Sequence, residues 1–126
     1  MPSLKTLVMR KNKLRVIPDS FFDGIGKLQE LDLADNNLSV INRAIQKLPR
    51  LISLDISTNP IAALPDEIDT LTALKTLDIS HTRVHSLPNL SGCLSLHTLN
   101  MTKIKTTWFT PRWITAPDLV NVNTIP

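Results

Sequence analysis

Residues 51–71 read Leu51-Ile52-Ser53-Leu54-Asp55-Ile56-Ser57-Thr58-Asn59-Pro60-Ile61-Ala62-Ala63-Leu64-Pro65-Asp66-Glu67-Ile68-Asp69-Thr70-Leu71. Leu54 and Ile56 stand two apart, so they share one face of a short strand and turn inward, while Asp55 between them turns outward. Asn59 comes where the chain leaves the strand and must bend. Its amide both donates and accepts, which suits backbone groups that the bend leaves unpaired. Leu64-Pro65 then starts a return segment, and Ile68 and Leu71 give that segment its own apolar side. Asp66 and Glu67 sit at the start of the return, where the partial positive charge of a helical turn favours them.

The same arrangement recurs on both sides. Upstream it reads Leu28, Leu31, Leu33, Asn36, Leu38, Ile41, Ile45, Leu48, and before that Leu4, Leu7, Met9, Asn12, Leu14, Ile17, Pro18. Downstream it reads Leu74, Leu77, Ile79, Thr82, Val84, Leu87, Pro88, and then Leu96, Leu99, Met101, Ile104, after which the pattern stops. The units open at Leu4, Leu28, Leu51, Leu74 and Leu96, at intervals of 24, 23, 23 and 22 residues. A unit this short cannot bury its own apolar face and must stack on copies of itself. The period therefore predicts a solenoid with one strand per turn, stacked into a parallel sheet whose neighbours lie about 4.8 Å apart. A column of Asn side chains should run up the stack, weaken at Thr82, which has fewer donors, and end at Ile104. Pro18, Pro65 and Pro88 suit the first position of a helical return. The return Asn42 to Leu48 lacks the proline and should be the most helical. The fourth, with Asn89 and Gly92, should be the shortest and a 3₁₀ or irregular turn.

A chain of 126 residues has room for one domain, taken as 1–126. Its 42% apolar and 20% charged residues are ordinary for a globular chain and speak against disorder. The formal charge of +3 is too mild for a nucleic-acid footprint. Cys93 is the single cysteine, so no intrachain disulfide can form, which favours a reducing compartment. Met1 to Arg10 runs straight into the first unit without a leader pattern, and no apolar run nears the roughly 20 residues that span a bilayer. A cytoplasmic protein is expected. The sequons at Asn37, Asn89 and Asn100 argue weakly for an extracellular fragment.

These residues resemble the leucine-rich repeat family over about residues 4 to 104, with four units in register and a partial fifth. The third unit is similar to intracellular Ras-group and plant-type repeats. The first return, Ile17-Pro18-Asp19-Ser20-Phe21-Phe22, looks more like extracellular and plant immune receptors, so the subfamily stays open. The resemblance implies an α/β fold: a right-handed β-α superhelix of about five repeats with a parallel, concave β-sheet as the usual binding surface. It also implies dedicated caps, and none is recognisable at the N-terminus. Leu4, Leu7 and Met9 would lie beside an open edge, where self-association could occur and where Arg10, Lys11, Lys13 and Arg15 would discourage it. Residues 105–126 are read as a C-terminal cap or tail. Trp108, Phe109 and Trp113 either fold over the last strand as an improvised cap or form an aromatic docking patch, and Pro111 and Pro117 disfavour a long helix there.

The alternation also fixes what faces the open side of the sheet. One outward column reads Val8, Asp32, Asp55, Asp78, Asn100 and its neighbour Thr6, Glu30, Ser53, Thr76, Thr98. Beyond the strands come Arg10/Lys11, Ala34/Asp35, Ser57/Thr58, Ser80/His81 and Thr102/Lys103. The expected partner-binding set is Glu30, Asp32, Asp35, Ser53, Asp55, Ser57, Thr76, Asp78, Ser80, His81 and Asn100: an acidic stripe with a hydroxyl border and basic flanks. Neighbouring Asp residues on adjacent strands repel by about 1 kcal/mol even at water's dielectric, and Lys or Arg from a partner would relieve this. The competing reading is that the Asp column is scaffold chemistry. Replacing Asp32, Asp55 and Asp78 with Asn should leave folding intact.

The catalytic inventory is nearly empty. Gly24 and Gly26 do not extend to a phosphate loop, and no zincin, nucleophile-elbow or paired-Cys metal spacing occurs. His81 and His85 straddle a strand exit. His81 with Asp55 and Asp78 around a metal is the weaker alternative to an ordinary exposed histidine. Cys93 falls at an apolar return position and should pack as a small core residue. No cofactor or metal is expected. The sequence thus reads as a non-catalytic module that binds a protein partner, for instance a basic segment, with no nucleic acid and no membrane. The alternative is a piece of the sensor region of a larger signalling or immune receptor, or a regulatory subunit of an enzyme.

Overall fold

The apolar alternation becomes six three-residue strands, each laid parallel against the next. The computed structural model describes residues 3–104 and, for its backbone, Asn121–Asn123. The strands are β1 (Thr6–Val8), β2 (Glu30–Asp32), β3 (Ser53–Asp55), β4 (Thr76–Asp78), β5 (Thr98–Asn100) and β6 (Asn121–Asn123), in one sheet of order β1-β2-β3-β4-β5-β6. Register is strict from β1 to β5: Leu7, Leu31, Leu54, Leu77 and Leu99 pair in line, each one repeat from the last. Such in-line stacking of one leucine per turn is what a repeat of nearly constant length dictates.

The returns are shorter and tighter than an α/β fold suggests. Among the described residues they are 3₁₀ turns: η1 (Asp19–Phe22), η2 (Arg43–Lys47) and η3 (Asp66–Thr70). Pro18 and Pro65 stand one residue before their helices, in extended backbone, and their carbonyls accept from Phe21 and Ile68 at 3.0 and 3.1 Å. The return without proline is no more helical than η3, since both run five residues. There Asn42 replaces the proline as cap: its Oδ1 accepts from Ala44 N–H at 2.9 Å, and its amide donates to the carbonyl of Ile17 in the previous unit at 2.6 Å. The fourth return is an irregular turn, with Ser91 N–H donating to Asn89 Oδ1 at 2.9 Å.

Between sheet and returns lies one apolar core, in which Leu28, Leu31, Leu33, Leu51, Leu54, Ile56, Leu74, Leu77, Ile79, Leu96, Leu99 and Met101 are almost wholly buried. Each such side chain contributes about 1.5–3 kcal/mol through burial. Cys93 belongs to the same core. In the first unit the equivalents Leu4, Leu7, Met9 and Leu14 are only partly buried, because β1 pairs with β2 alone.

At the other end the pattern does not stop at the fifth unit. β6 continues the sheet in register, with Asn121 opposite Thr98, Val122 opposite Leu99 and Asn123 opposite Asn100. The sequence carries a signal for it. Leu119 follows Leu96 by 23 residues (119 − 96) and Val122 follows three later, which is the opening of another unit. The 14 residues 105–118, rich in Trp, Thr and Pro, mask that signal. The expectations for Trp108, Phe109, Trp113, Pro111 and Pro117 lie outside the described residues.

Candidate functional site

The strand register places Asp32, Asp55, Asp78 and Asn100 in one column on the open face and Glu30, Ser53, Thr76 and Thr98 in the column beside it. A depression covers this face over β3–β5, lined by Ser53, Leu54, Asp55, Thr76, Leu77, Asp78, Thr98 and Asn100. Val8 continues the Asp column at β1 and is well exposed, so the acidic stripe begins at β2.

Each Asp of the column serves the fold with one oxygen. Oδ1 of Asp32, Asp55 and Asp78 accepts the backbone N–H two residues on, from Ala34, Ser57 and Ser80, each at 3.0 Å. The hydroxyls of Ser57 and Ser80 donate to the same oxygens at 2.6 Å. Asn100 repeats the arrangement with Thr102, whose N–H and hydroxyl lie at 3.0 and 2.7 Å from its Oδ1. This is the side-chain-to-backbone turn that Asp and Asn make well, and it fixes how the chain leaves the strand. The acidic stripe is thus half scaffold, and Asn can do the scaffold part, as position 100 demonstrates.

The second oxygens differ. Asp32 Oδ2 lies 3.5 Å from Arg10 Nε, and Asp78 Oδ2 lies 3.4 Å from the amide nitrogen of Asn100. Asp55 Oδ2 has no ion pair or hydrogen bond among the described residues. The centre of the column therefore holds the carboxylate whose charge is least answered from within.

The predicted binding residues do not all reach this face. Ser57 and Ser80 are buried, at 7% and 6% exposure, with their hydroxyls committed to Asp55 and Asp78, so they are not a hydroxyl border open to a partner. Asp35 and His81 are exposed but sit on the loops past the strand exits. There the backbone is left-handed at the same place in every unit, with φ of 61° at Lys11, 56° at Asp35, 54° at Thr58, 53° at His81 and 65° at Lys103. In the interior units the N–H of that residue donates one repeat onward: Asp35 to Ser57 O, Thr58 to Ser80 O and His81 to Thr102 O, at 2.9–3.0 Å. None of these five is Gly or Asn, and only Asp35 and His81 are of types enriched at positive φ, so the sequence carried little warning of the left-handed turn.

Just past that turn runs the Asn column. Asn36 donates to the carbonyls of Leu33, Ala34 and Met9 at 2.9–3.2 Å, and its Oδ1 accepts Asn12 N–H and Leu14 N–H at 2.9 and 3.0 Å. Asn59 donates to Ile56, Ser57 and, one unit back, Leu33, and accepts Leu38 N–H at 3.0 Å. Thr82 is too short to reach across. Its hydroxyl donates to Ile79 O at 2.7 Å within its own unit, and Ile61 N–H, the counterpart of Leu14 and Leu38 N–H, has no partner among the described residues. Beside this break lies a second depression, lined by Asn37, Thr58, Asn59, Pro60, His81 and Arg83.

No group of three His, Cys, Asp or Glu among the described residues is placed to hold a metal ion. Cys93 is fully buried, its sulfur 3.4 Å from the carbonyl of Ile68. Burial, with a smaller contribution from the Asp69 carboxylate, pushes its thiol up to about 11, away from the thiolate that a nucleophile needs. No described helix is long and apolar enough to cross a membrane.

Comparison with known proteins finds the same fold elsewhere. A family model described as Leucine rich repeat matches residues 2–61. A solved leucine-rich repeat protein of Leptospira interrogans superposes with a TM-score of 0.79 at 27% identity, over 89% of this chain and 28% of its own. The chain thus spans little more than a quarter of that protein's length. No curated protein matches in sequence. The in-register strands, the Asn column and these two matches show a leucine-rich repeat solenoid, a fold that in general serves protein interaction.

Proposed function

We propose that this chain is a non-catalytic interaction module that takes a basic segment of a protein partner across the open face of β3–β5. The observation that carries this is the Asp column itself. Asp32, Asp55 and Asp78 stand on adjacent strands about 5 Å apart, each with one oxygen tied to its turn. Their mutual repulsion is answered at the two ends, by Arg10 and by Asn100, and not at Asp55. A Lys or Arg laid into the depression would meet Asp55 Oδ2 directly, with the hydroxyls of Ser53 and Thr76 beside it as further partners. Glu30 would extend the acidic surface toward β1.

The double variant Asp55→Asn/Asp78→Asn tests this, because Asn retains the Oδ1 acceptor that the turns use. Its thermal unfolding should match the parent. Its affinity for a short Lys/Arg peptide, read by titration calorimetry, should fall about tenfold, the weight of one charge-assisted contact. Unchanged affinity in a folded double variant would remove the acidic face as the binding site. A Lys replacement is the poorer probe, since it removes the turn acceptor along with the charge.

The Leptospira protein is more than three times as long as the stretch it shares with this chain. That favours the reading in which the same face works within a larger sensor or receptor array. The single, fully buried Cys93 supports a reducing, cytoplasmic setting, since the chain has no second cysteine with which to form a disulfide.

A further inference from the structure

We infer that the depression at the exits of β3 and β4 is a second binding site, and that it takes the carboxylate of an acidic partner segment. Its lining is Asn37, Thr58, Asn59, Pro60, His81 and Arg83, which includes no acid. Arg83 is anchored through its backbone, with N–H donating to Ile61 O at 2.8 Å, while its guanidinium makes no ion pair or hydrogen bond among the described residues. Asn37 is held likewise, N–H to Leu14 O at 2.8 Å, and its side-chain amide and the Thr58 hydroxyl are also without partners there. Three exposed side chains that can donate hydrogen bonds therefore converge on one depression from backbones that the stacking has already fixed.

Two features set this place apart from the other strand exits. Thr58 holds φ at 54°, a conformation a β-branched residue adopts at a cost, and its hydroxyl makes no hydrogen bond among the described residues. Thr82 interrupts the Asn column at the same level and leaves Ile61 N–H without a partner among the described residues. Arg83 supplies one permanent charge in a planar fork, which matches a carboxylate in both charge and geometry, whereas a dianionic phosphate would be half neutralised. The site lies past the strand exits, apart from the acidic face, so its failure would leave the reading of that face untouched.

A short glutamate-rich peptide, its glutamine counterpart and a phosphoserine peptide of equal charge are titrated into the chain and followed by NMR. The glutamate peptide should shift Thr58, His81 and Arg83 saturably, and the glutamine peptide should not. Arg83→Gln should weaken binding about tenfold or more, and Asn37→Asp should weaken it through charge repulsion. Both positions are exposed, and circular dichroism confirms that the variants are folded. Equal binding by Arg83→Gln, or shifts spread evenly over Lys11, Lys13 and Lys103, would overturn the site. A preference for the phosphoserine peptide would overturn the carboxylate assignment.

Discussion

The third and fourth units share a strand register and an equally buried core, yet they are held together differently. In the third, Asn59 makes four hydrogen bonds, two of them into the preceding unit, and the return is an ordered 3₁₀ turn. In the fourth, Thr82 makes no bond across the interface among the described residues, and the return is an irregular turn without a helix. What replaces the lost order is a local stitch: the backbone N–H of Gly92 donates to the carboxylate of Asp69 on η3, in a close approach that only glycine allows. The strand half of a unit thus follows from leucine spacing alone, whereas the return half rests on particular contacts that differ from unit to unit. Solenoid stability is a sum of unit and interface terms, so the fourth unit is where this array should open first.

The largest effect should come from Asn59→Ala. It strips the carbonyls of Leu33, Ile56 and Ser57 and the N–H of Leu38 of their buried partner, and should cost about 3 kcal/mol in denaturant unfolding. A cost no larger than that of Thr82→Ala would mean the column does not distinguish the two units. Next comes Gly92→Ala, whose new Cβ would lie 2.2 Å from the Asp69 carbonyl oxygen and should cost about 2–3 kcal/mol. Gly26→Ala is its control, because the nearest atom there stands at an ordinary 3.5 Å.

A pH scan probes the same fourth return through Cys93. Its folded thiol titrates at about 11 against an unfolded value near 9.0, so above pH 9 the unfolded chain loses a proton that the folded chain keeps. Stability should therefore be unaffected by this group below pH 9 and fall by about 2 kcal/mol between pH 9 and 11. Unfolding curves of Cys93→Ala over that range should lack this loss. The smallest effect is a gain: Thr82→Asn restores an amide that can reach Ile61 N–H, as Asn59 reaches Leu38 N–H, and should stabilise by about 1 kcal/mol. A neutral or harmful outcome would show that the break at Thr82 is not what weakens the unit.

The sequence by itself determined the solenoid, the parallel sheet, its register and the identity of the two open columns. All of these follow from period, since residues two apart share a strand face and units of 22–24 residues stack like on like. It also located the Asn column and its weakening at Thr82. Tertiary structure alone decided how the open face is used. Asp55 and Ser57 look like two polar residues on one surface in the sequence, but the turn at the strand exit brings them into a 2.6 Å hydrogen bond and buries the serine. The same turn carries Asp35 and His81 off the sheet onto the loop edge, through a left-handed conformation that no Gly or Asn marks at these positions. The sixth strand was written in Leu119 and Val122 but became legible only when pairing with β5 supplied its register. Periodicity is a property of one chain read locally, whereas the partner of each carboxylate oxygen depends on where the stacked neighbour puts its backbone.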